Sequence, residues 1–578
     1  MTDVSGGELF VRTIERAGVR ELFTLHGGHL DAILQAAHDH GFRLIDTRHE
    51  QAAAHAAEGW ARVTGRPGIA VVTAGPGITD AVTGVANAWM DAIPMLLIGG
   101  AAPLRDAETL PLQGGFDQVA LFTPITKWAH RITHTNRIPD LVAHALRIAT
   151  EGRPGPVYVE IPIDVLFAPT DEAKVFFPDM KRSTAAPAPT SEAVSRAIEI
   201  LAAAERPVII AGGGAFFSGA ADALRAFAER TGIPVLCNGK AHGLVPADHP
   251  LCGGNAMNLA IAKVLARQAT DTVLFLGARI GLFTGGRSEL VIPQAARIIQ
   301  VDVEAEEIGR NRNIELGVTA DCREALLAFH REAESVDWPN YEAWVASIQQ
   351  ARNSHRMMFG NAIENQKAPI HPYQMAAAIA RAVDRDAIII ADGGETAAWM
   401  EMVAEIHEPG QFHSHGYLGC LGVGLPFAIA AKLAHPDRQV VCLTGDGAVG
   451  LNFTEFDTMA RHGLAITVVV NNDRQWGMSA HGQELLFGLE RRVVSDLAPS
   501  RYDLAAQAFG CRGALVEEPG DLAGALEEAL RSDQPTCLNV MTDPSVIHPI
   551  TMAMTGGARS RQDSQGKTVI PYYDDLEG

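Results

Sequence analysis

The stretch 440–477 constrains the fold of this chain more than any other. Two apolar runs, 440–443 and 466–470, each end in polar residues, and apolar residues recur at helical spacing between them. This alternation predicts strand, turn, helix and strand, the unit of a parallel α/β sheet. The polar ends are Gly445-Asp446-Gly447 and Asn471-Asn472-Asp473. We expect both at one sheet edge, because open parallel sheets bind ligands beyond the carboxyl ends of their strands.

The residues at this edge suit a Mg²⁺-diphosphate site. Gly445 and Gly447 have no side chain, so the backbone around Asp446 can approach a phosphate closely. Carboxylate and amide oxygens are ligands that Mg²⁺ prefers, and phosphate oxygens complete its shell. Asp446 is the first predicted ligand, and the second comes from Asn472 or Asp473.

The same stretch resembles the thiamine diphosphate motif, in which Gly-Asp-Gly is followed one strand later by an asparagine pair. In that family the second position gives a side-chain ligand, and the backbone carbonyl two residues further on gives another. The ligands here are therefore Asn472 with Arg474, or Asp473 with Gln475. Trp476-Gly477 resembles the hydrophobic-glycine pair that follows the family motif, and this spacing favours Asp473 and Gln475, with Asn472 beside them.

Length and composition fit a globular protein of several domains. The 578 residues are 47% hydrophobic and 20% charged, which excludes a disordered class. A net charge of −21 argues against nucleic acid as a partner. No apolar run approaches the ~18 residues that span a membrane, and the polar N-terminus is not typical of a signal peptide. The seven cysteines lack CxxC spacing, which favours a cytoplasmic protein without a disulfide framework.

Alternating apolar strands and helical patterns predict an α/β fold of three consecutive domains, each a doubly wound parallel sheet. The predicted domains cover 1–175, 190–345 and 370–545, and a tail at 546–578 is a candidate active-site lid. The predicted strands are 68–73, 94–99, 156–162, 207–211, 273–277, 297–302, 387–391, 439–444, 466–470 and 536–541. This order resembles the pyrimidine-binding, central and diphosphate-binding domains of the acetolactate synthase and decarboxylase superfamily, over essentially the whole chain.

The first block carries a candidate for cofactor activation. Glu50 ends the segment Thr47-Arg48-His49-Glu50 and begins an alanine-rich helical pattern, where an acidic residue is also common as a helix-start residue. In the family that this chain resembles, a glutamate here hydrogen-bonds the aminopyrimidine ring and promotes loss of the thiazolium C2 proton. Gly75, in a Gly-Pro-Gly turn after a strand, matches a cofactor-domain turn.

The third block carries the remaining cofactor-binding candidates. The resemblance implies that Leu421 is the apolar wedge that bends the cofactor, with His415 in the preceding segment. Gly393 and Gly394 follow a strand and resemble a second diphosphate loop. The diphosphate-binding candidates of the main motif are Gly445, Asp446, Gly447 and Ala448.

The two ends of the cofactor would contact the first and third blocks. In the superfamily these blocks belong to different subunits, so the resemblance implies a homodimer or homotetramer. In the central block, Gly212-Gly213-Gly214, Gly277 and Asp302 follow strands without a full GxGxxG, which is a weak signal. Relatives bind FAD, or ADP or a CoA nucleotide there, or nothing, so a nucleotide such as the ADP moiety of CoA stays an open expectation.

Two further residues indicate the reaction. His29 and Gln113 lie in segments that resemble benzaldehyde lyase, in which the corresponding residues handle the substrate oxygen. A neutral imidazole and a carboxamide can both donate to a developing alkoxide. Ile163 and Ala397 stand where that lyase has aromatic rings, which predicts a wider pocket.

Glu484 and the long tail resemble instead the 2-hydroxyacyl-CoA lyases, which carry a glutamate after the metal motif. Arg559, Arg561 and Lys567 lie in that tail. We therefore predict a thiamine diphosphate-dependent carbon–carbon lyase or carboligase that cleaves 2-hydroxyacyl-CoA to formyl-CoA and an aldehyde or ketone. The alternatives are an acyloin lyase of the benzaldehyde lyase type, an acetolactate synthase, and a catalytically inactive paralogue with a structural or regulatory role.

Overall fold

The structure, a computed structural model, describes residues 3–179, 185–287, 289–555, 561–562 and 568–569. Arg559 and Lys567 of the predicted tail lie outside the described residues. No helix in the part of the chain that the structure describes is long and apolar enough to cross a membrane.

The first sheet has six parallel strands in the order β3-β2-β4-β5-β7-β6, and β1 pairs with β8 beside it. These strands are β1 (Asp3–Val4), β2 (Glu21–Leu25), β3 (Arg43–Asp46), β4 (Gly68–Val72), β5 (Met95–Ala101), β6 (Ala129–Arg131), β7 (Pro156–Pro162) and β8 (Thr170–Asp171). The helices are α1 (Gly6–Arg16), α2 (Asp31–Asp39), α3 (Glu50–Thr64), α4 (Pro76–Met90), α5 (Gln118–Phe122), α6 (Ile138–Thr150) and α7 (Ile163–Phe167).

The second sheet has five parallel strands in the order β10-β9-β11-β12-β13. These strands are β9 (Pro207–Ala211), β10 (Val235–Cys237), β11 (Thr272–Leu276), β12 (Arg297–Asp302) and β13 (Leu316–Thr319). The helices are α8 (Ser191–Ala202), α9 (Gly213–Phe217), α10 (Ala221–Thr231), α11 (Asn258–Ala266), α12 (Cys322–Ala333) and α13 (Glu342–Ile363).

The third sheet has six parallel strands in the order β15-β14-β16-β17-β19-β18. These strands are β14 (Ile388–Asp392), β15 (Phe412–Ser414), β16 (Val440–Gly445), β17 (Thr467–Asn472), β18 (Arg512–Val516) and β19 (Thr536–Met541). The helices are α14 (Pro372–Ala382), α15 (Glu395–Val403), α16 (Gly424–Ala434), α17 (Asp446–Leu451), α18 (Glu455–Arg461), α19 (Gly477–Phe487), α20 (Tyr502–Ala508), α21 (Leu522–Leu530) and α22 (Pro549–Met554). A two-residue pair, β20 (Arg561–Gln562) with β21 (Thr568–Val569), follows.

Three parallel α/β sheets confirm the predicted fold class. The first and third sheets share one strand order, so they are two copies of the same topology. The long strands fall within two residues of their predicted bounds, because a strand buried on both faces is a continuous apolar run. Short strands such as β3, β6 and β15 escaped prediction, because their few residues form no such run.

The first and third domains share one hydrophobic core, in which α3 packs directly against α16. The alanines of α3 have small side chains, so the two helices can approach closely. A Cβ added to Gly59 would lie 2.9 Å from Cα of Phe427, so the glycine is needed at the contact. This packing fixes the position of Glu50, the first residue of α3, relative to the third domain.

A buried carboxylate, Asp91, joins all three domains. It accepts a hydrogen bond from Arg62 Nη2 at 2.6 Å in the first domain and from the Tyr417 backbone N–H at 3.0 Å in the third. Lys240 Nζ of the second domain lies 3.5 Å from its Oδ2. Burial alone would raise the pKa of Asp91, but the attraction of Lys240 and Arg62 outweighs it and holds that pKa well below its ordinary value.

We predict that Asp91→Asn destabilises the protein by about 3–5 kcal/mol, because it leaves the buried Lys240 ammonium without its counter-charge and removes one of the two carboxylates that pair with Arg62. Since the pKa of Asp91 is lowered on folding, its stabilisation is complete above the unfolded pKa of about 4 and is lost as the pH falls below it. Urea unfolding at neutral and acidic pH measures this difference.

Asp140→Asn is the matched control, because Asp140 pairs with Arg137 on an exposed helix face. Exposed ion pairs contribute little, so this variant should change the midpoint much less. An Asp91→Asn midpoint no lower than that of Asp140→Asn would contradict the role of Asp91.

Candidate functional site

A buried and a partly buried carboxylate lie close together at the carboxyl edge of the third sheet. Asp446 is the first residue of α17, and Asp473 follows β17 directly. Asp446 is 2% exposed; its Oδ1 accepts the Gly447 N–H at 2.8 Å, and its Oδ2 has no hydrogen-bond partner among the residues that the structure describes. Burial, and then repulsion by Asp473, raises the pKa of Asp446 to about 8.

This arrangement fits a divalent cation. Burial also raises the pKa of Asp473, to about 6, so both carboxylates lack compensating charge. An orphaned carboxylate oxygen beside a second carboxylate is the donor set that Mg²⁺ requires. Arg474 has φ +61°, a left-handed backbone that is rare outside glycine and marks functional loops. The backbone N–H groups of Arg474 and Gln475 favour the charged form of Asp446, which holds this loop against it.

The alternative ligand, Asn472, has partners for its amide nitrogen, which donates to the carbonyl of Ser500 at 3.1 Å and to Oδ1 of Asn539 at 2.9 Å. Its buried Oδ1 has no hydrogen-bond partner among the described residues. Gln475 lies beside Asp473, because its Nε2 donates to Asp473 Oδ2 at 3.2 Å. The register with Asp473 and Gln475 therefore stays a prediction, with Asn472 as the alternative.

Bare backbone surrounds the carboxylate pair. A Cβ added to Gly393, which has φ +104°, would lie 3.4 Å from the Gly445 nitrogen, so the two predicted diphosphate loops meet. A Cβ on Gly394 would lie 2.9 Å from Cβ of Met478. Gly447 faces the Trp476 ring in the same way, at 2.6 Å. Ala448 is buried in the first turn of α17. Two glycine-lined loops at one sheet edge can accept phosphate oxygens.

A buried ion pair between Glu395 and His481 lies close to Asp473 at this sheet edge. His481 Nδ1 lies 2.9 Å from Glu395 Oε2, and its Nε2 lies 2.8 Å from the Pro544 carbonyl oxygen. Both ring nitrogens thus face acceptors; burial would lower the pKa of His481, but the hydrogen bond to Glu395 raises it above its ordinary value. Thr551 of α22 donates to Glu395, so the chain end packs against the site. No sequence pattern marks the Glu395–His481 pair or the Thr551 contact, because the partners are far apart in the chain.

Glu484 lies on α19 but is held in an ion pair. Arg492 Nη1 donates to Glu484 Oε1 at 2.8 Å, and Arg492 Nη2 donates to Gln475 Oε1 at 2.7 Å. The Arg492 guanidinium therefore bridges Glu484 to Gln475, which lies in the loop that carries Asp473. Ala397, predicted to widen the substrate pocket, lies in the hydrophobic core of the third domain instead, and Ile163 is half-buried at the start of α7.

Glu50 begins α3 as predicted, with only a small exposed fraction. Its Oε1 lies 3.1 Å from where a Cβ on Gly77 would be, so it faces the glycine turn after β4. Burial raises the pKa of Glu50, and nearby Asp80 adds to the rise. A carboxyl group with a raised pKa can exchange a proton near neutral pH. No hydrogen bond or ion pair among the described residues joins Glu50 to the carboxylate pair of the third domain.

His29 and Gln113 come together around the same turn. His29 lies in a 3₁₀ turn (Gly28–Leu30), where its Nδ1 is 3.4 Å from Thr73 Oγ1, and burial lowers the pKa of His29. Gln113 has φ +60°, and a Cβ added to Gly75 would lie 3.0 Å from Cβ of Gln113. A neutral imidazole and a carboxamide therefore flank one turn, beside Glu50.

Leu421 is half-buried in a loop that a buried aspartate holds. The carboxylate of Asp392, at the end of β14, accepts hydrogen bonds from the backbone N–H groups of Gly422 at 3.0 Å and Gly424 at 2.8 Å, where this loop meets α16. Burial raises the pKa of Asp392. His415 lies near Asp392, and its buried Nδ1 has no hydrogen-bond partner in the described part of the chain. The unpaired nitrogen of His415 and the positioned side chain of Leu421 are suited to contact a bound cofactor.

The glycines of the second domain pack against each other. The Gly214 N–H donates to the Gly277 carbonyl at 2.9 Å, and a Cβ on either residue would strike the other. A Cβ on Gly213 would lie 2.5 Å from Cε of Lys240. Close packing thus accounts for these glycines, and nothing in the described residues supports a nucleotide there.

Three profiles of known families match the chain. They are the thiamine pyrophosphate enzyme N-terminal TPP binding domain at residues 4–121, the central domain at 194–329 and the C-terminal TPP binding domain at 392–540. A probable acetolactate synthase of Mycobacterium bovis and an acetolactate synthase large subunit of Mycobacterium tuberculosis are each 35% identical over 545 residues, covering 94% of this chain and 96% of theirs. The 2-hydroxyacyl-CoA lyase 2 of Homo sapiens is 31% identical, covering 93% of this chain and 90% of its own.

We predict that Mg²⁺ affinity falls as the pH is lowered from about 8 to about 6, because protons compete with the cation at Asp446 and Asp473. Asp446→Ala should remove Mg²⁺ binding, and calorimetric titration measures both effects. Asp473→Ala should weaken binding far more than Asn472→Ala. If Asn472→Ala alone removes metal dependence, the register with Asp473 is wrong.

Proposed function

Because the chain belongs to the thiamine pyrophosphate enzyme family, we propose that it is a carbon–carbon lyase that cleaves 2-hydroxyacyl-CoA reversibly to formyl-CoA and an aldehyde or ketone. The observation that carries this proposal is the pairing of a neutral His29 with Gln113 around the turn that Glu50 faces. When bound, thiamine diphosphate supplies the carbon nucleophile and the electron sink.

The residues of the chain would hold the cofactor at both ends. Asp446, Asp473 and the Gln475 carbonyl would hold Mg²⁺ and, through it, the diphosphate. Glu50 would hold and exchange a proton at the aminopyrimidine, which its raised pKa suits. Leu421 would support the bend of the cofactor between these ends.

Cleavage of the substrate requires one proton to move. The bond between C1 and C2 breaks, the hydroxyl proton leaves the C2 oxygen, and one hydrogen finally reaches the carbonyl carbon of formyl-CoA. Thr73 faces Nδ1 of His29, so Nε2 is the nitrogen left, among the described contacts, to accept from or donate to the substrate oxygen. Gln113 would donate to the same oxygen. Glu484, on leaving Arg492, would take the hydroxyl proton from the C2 oxygen and return it to C1, which becomes the carbonyl carbon of formyl-CoA.

An acetolactate synthase is the second candidate. Relatives bearing that name are 35% identical to this chain, against 31% for the lyase. A substrate panel of 2-hydroxyoctanoyl-CoA, benzoin and pyruvate, with thiamine diphosphate and Mg²⁺, separates the candidates by their products. Formyl-CoA from the CoA ester supports the proposal, and acetolactate from pyruvate without formyl-CoA overturns it.

We further propose that two or four copies of the chain assemble. Leu110 and Leu112, just before Gln113, are 72% and 89% exposed, and Val494 is 99% exposed near Arg492. Large apolar side chains exposed beside both halves of a site favour burial against a second copy. Light scattering gives the number of copies directly.

Glu50→Gln should slow C2 proton exchange of bound thiamine diphosphate by at least about 100-fold, because an amide cannot exchange the proton. Cofactor affinity should change little, since Mg²⁺ and the diphosphate are held elsewhere. Exchange is measured by NMR after rapid mixing with deuterium oxide. Glu401→Gln, outside the site at the contact with His242, is the control. Unchanged exchange in Glu50→Gln would remove this role.

Glu484→Gln should lower cleavage of 2-hydroxyoctanoyl-CoA by about 10- to 100-fold, because the amide can orient water but cannot carry the proton. Benzoin cleavage should fall much less. Arg492→Gln is the matched control, since it breaks the same ion pair and keeps the carboxylate. Equal losses in both variants would assign the effect to the ion pair, and the shuttle role would then fail.

A further inference from the structure

The oxygen and the nitrogen of the Gln118 carboxamide both form hydrogen bonds in the interior of the first domain. It is the first residue of α5 and is 3% exposed. Its Oε1 accepts the Gly75 N–H at 2.9 Å, and its Nε2 donates to the Gly100 carbonyl at 3.1 Å and to Glu160 Oε2 at 2.7 Å. A carboxamide has one acceptor and two donors, and each has a partner here.

The orientation of this amide is fixed by Glu160. Glu160 lies on β7 and is fully buried, and the Arg131 guanidinium of the neighbouring strand β6 pairs with it. A carboxylate can only accept, so Nε2 of Gln118 must face Glu160 and Oε1 must face Gly75. The amide is therefore anchored to β7, and its remaining two hydrogen bonds go to the turn at Gly75 and to Gly100 near the end of β5.

These two hydrogen bonds go to Gly75 and Gly100, whose backbones lie against the two residues proposed to contact the substrate oxygen. A Cβ on Gly75 would be 3.0 Å from Cβ of Gln113, and a Cβ on Gly100 would be 2.8 Å from Cβ of His29. Gly75 has φ +67° and Gln113 has φ +60°, so both hold backbone conformations that surrounding contacts must maintain. Gln118 is the one side chain, among the described contacts, that hydrogen-bonds both glycines.

We propose that Gln118 is a positioning residue that couples the loop of Gln113 to the strand end beside His29, so that both side chains meet one substrate oxygen. This inference rests on the proposed roles of His29 and Gln113. A glutamate at 118 would lack both donors and would face Glu160 with a like charge. A methionine of similar shape would leave the Gly75 N–H without its acceptor and would remove one donor each from the Gly100 carbonyl and from Glu160, which keeps Arg131.

The test compares Gln118→Met with Gln374→Met. Gln374 is 5% exposed on α14, and its amide donates to two backbone carbonyls away from the site, so its loss matches the burial and two of the three lost hydrogen bonds. We expect Gln118→Met to lower kcat by about 10- to 100-fold on the best substrate of the panel, since a small misplacement of catalytic groups has such effects. The fall in Tm should exceed that of Gln374→Met only by the contribution of one additional hydrogen bond, and both variants are assayed well below their Tm.

Three readouts separate positioning from a general loss of structure. Amide exchange of the cofactor-free protein should quicken at the Gly75 N–H, which loses its acceptor. C2 exchange of bound thiamine diphosphate, which depends on Glu50, should stay within about twofold. In a double-mutant cycle, Gln118→Met should add little to Gln113→Ala, because the two act through one geometry.

The outcomes are distinct. If His29→Ala and Gln113→Ala lower kcat but Gln118→Met does not, or if its loss adds fully to theirs, the coupling is overturned and the proposed function stands. If neither His29→Ala nor Gln113→Ala changes kcat, both proposals fall. Gln118→Asn, which keeps the amide on a shorter side chain, serves if the methionine variant does not fold. It should show the same non-additivity with a smaller loss.

Discussion

The buried Asp91 carboxylate is the interaction on which the arrangement of the three domains depends. It satisfies Arg62 of the first domain, Lys240 of the second and the Tyr417 N–H of the third within one water-excluded volume. Each charge alone would be costly to bury, and only their meeting offsets that cost. Asp91 directly follows α4 of the first domain, and Tyr417 lies in the segment before Leu421 of the third domain. The contacts of Asp91 therefore link the candidate halves of the cofactor site.

The site itself follows from one topology used twice. The first and third sheets have the same strand order, and in each the glycine turns and acidic residues follow the carboxyl ends of strands. In the third domain, burial leaves Asp446 and Asp473 with raised pKa values and one oxygen without a partner, which makes the edge selective for a cation. In the first domain, burial raises the pKa of Glu50 and lowers that of His29, so it favours the uncharged form of both side chains. Burial thus gives the two domains different electrostatic environments at equivalent sheet edges.

Much of this could be predicted from the sequence, because the signals are local. The apolar runs of 440–443 and 466–470 identify strands, and Asp446 stands between glycines that only a close backbone approach requires. The long-range contacts gave no such signal. Gln118 contacts Gly75 and Glu160 across 43 and 42 residues, and Glu395 contacts His481 across 86. An ordinary glutamine or glutamate in a helix start predicts none of these partners. Arg492 likewise changes the setting of Glu484 through a contact that no spacing rule anticipates.

The sequence by itself determined the α/β class, the three parallel sheets, the family and the places of Glu50 and Asp446 at helix starts, because strand periodicity and glycine turns are properties of short segments. Only the tertiary structure decided that Asp473 lies close enough to Asp446 to raise its pKa, that Ala397 belongs to the core, and that the glycines of the second domain pack against each other. It also brought Gln118 between His29 and Gln113. The physical reason is that burial and hydrogen-bond partnership depend on residues distant in the chain, which meet only after the sheets have packed.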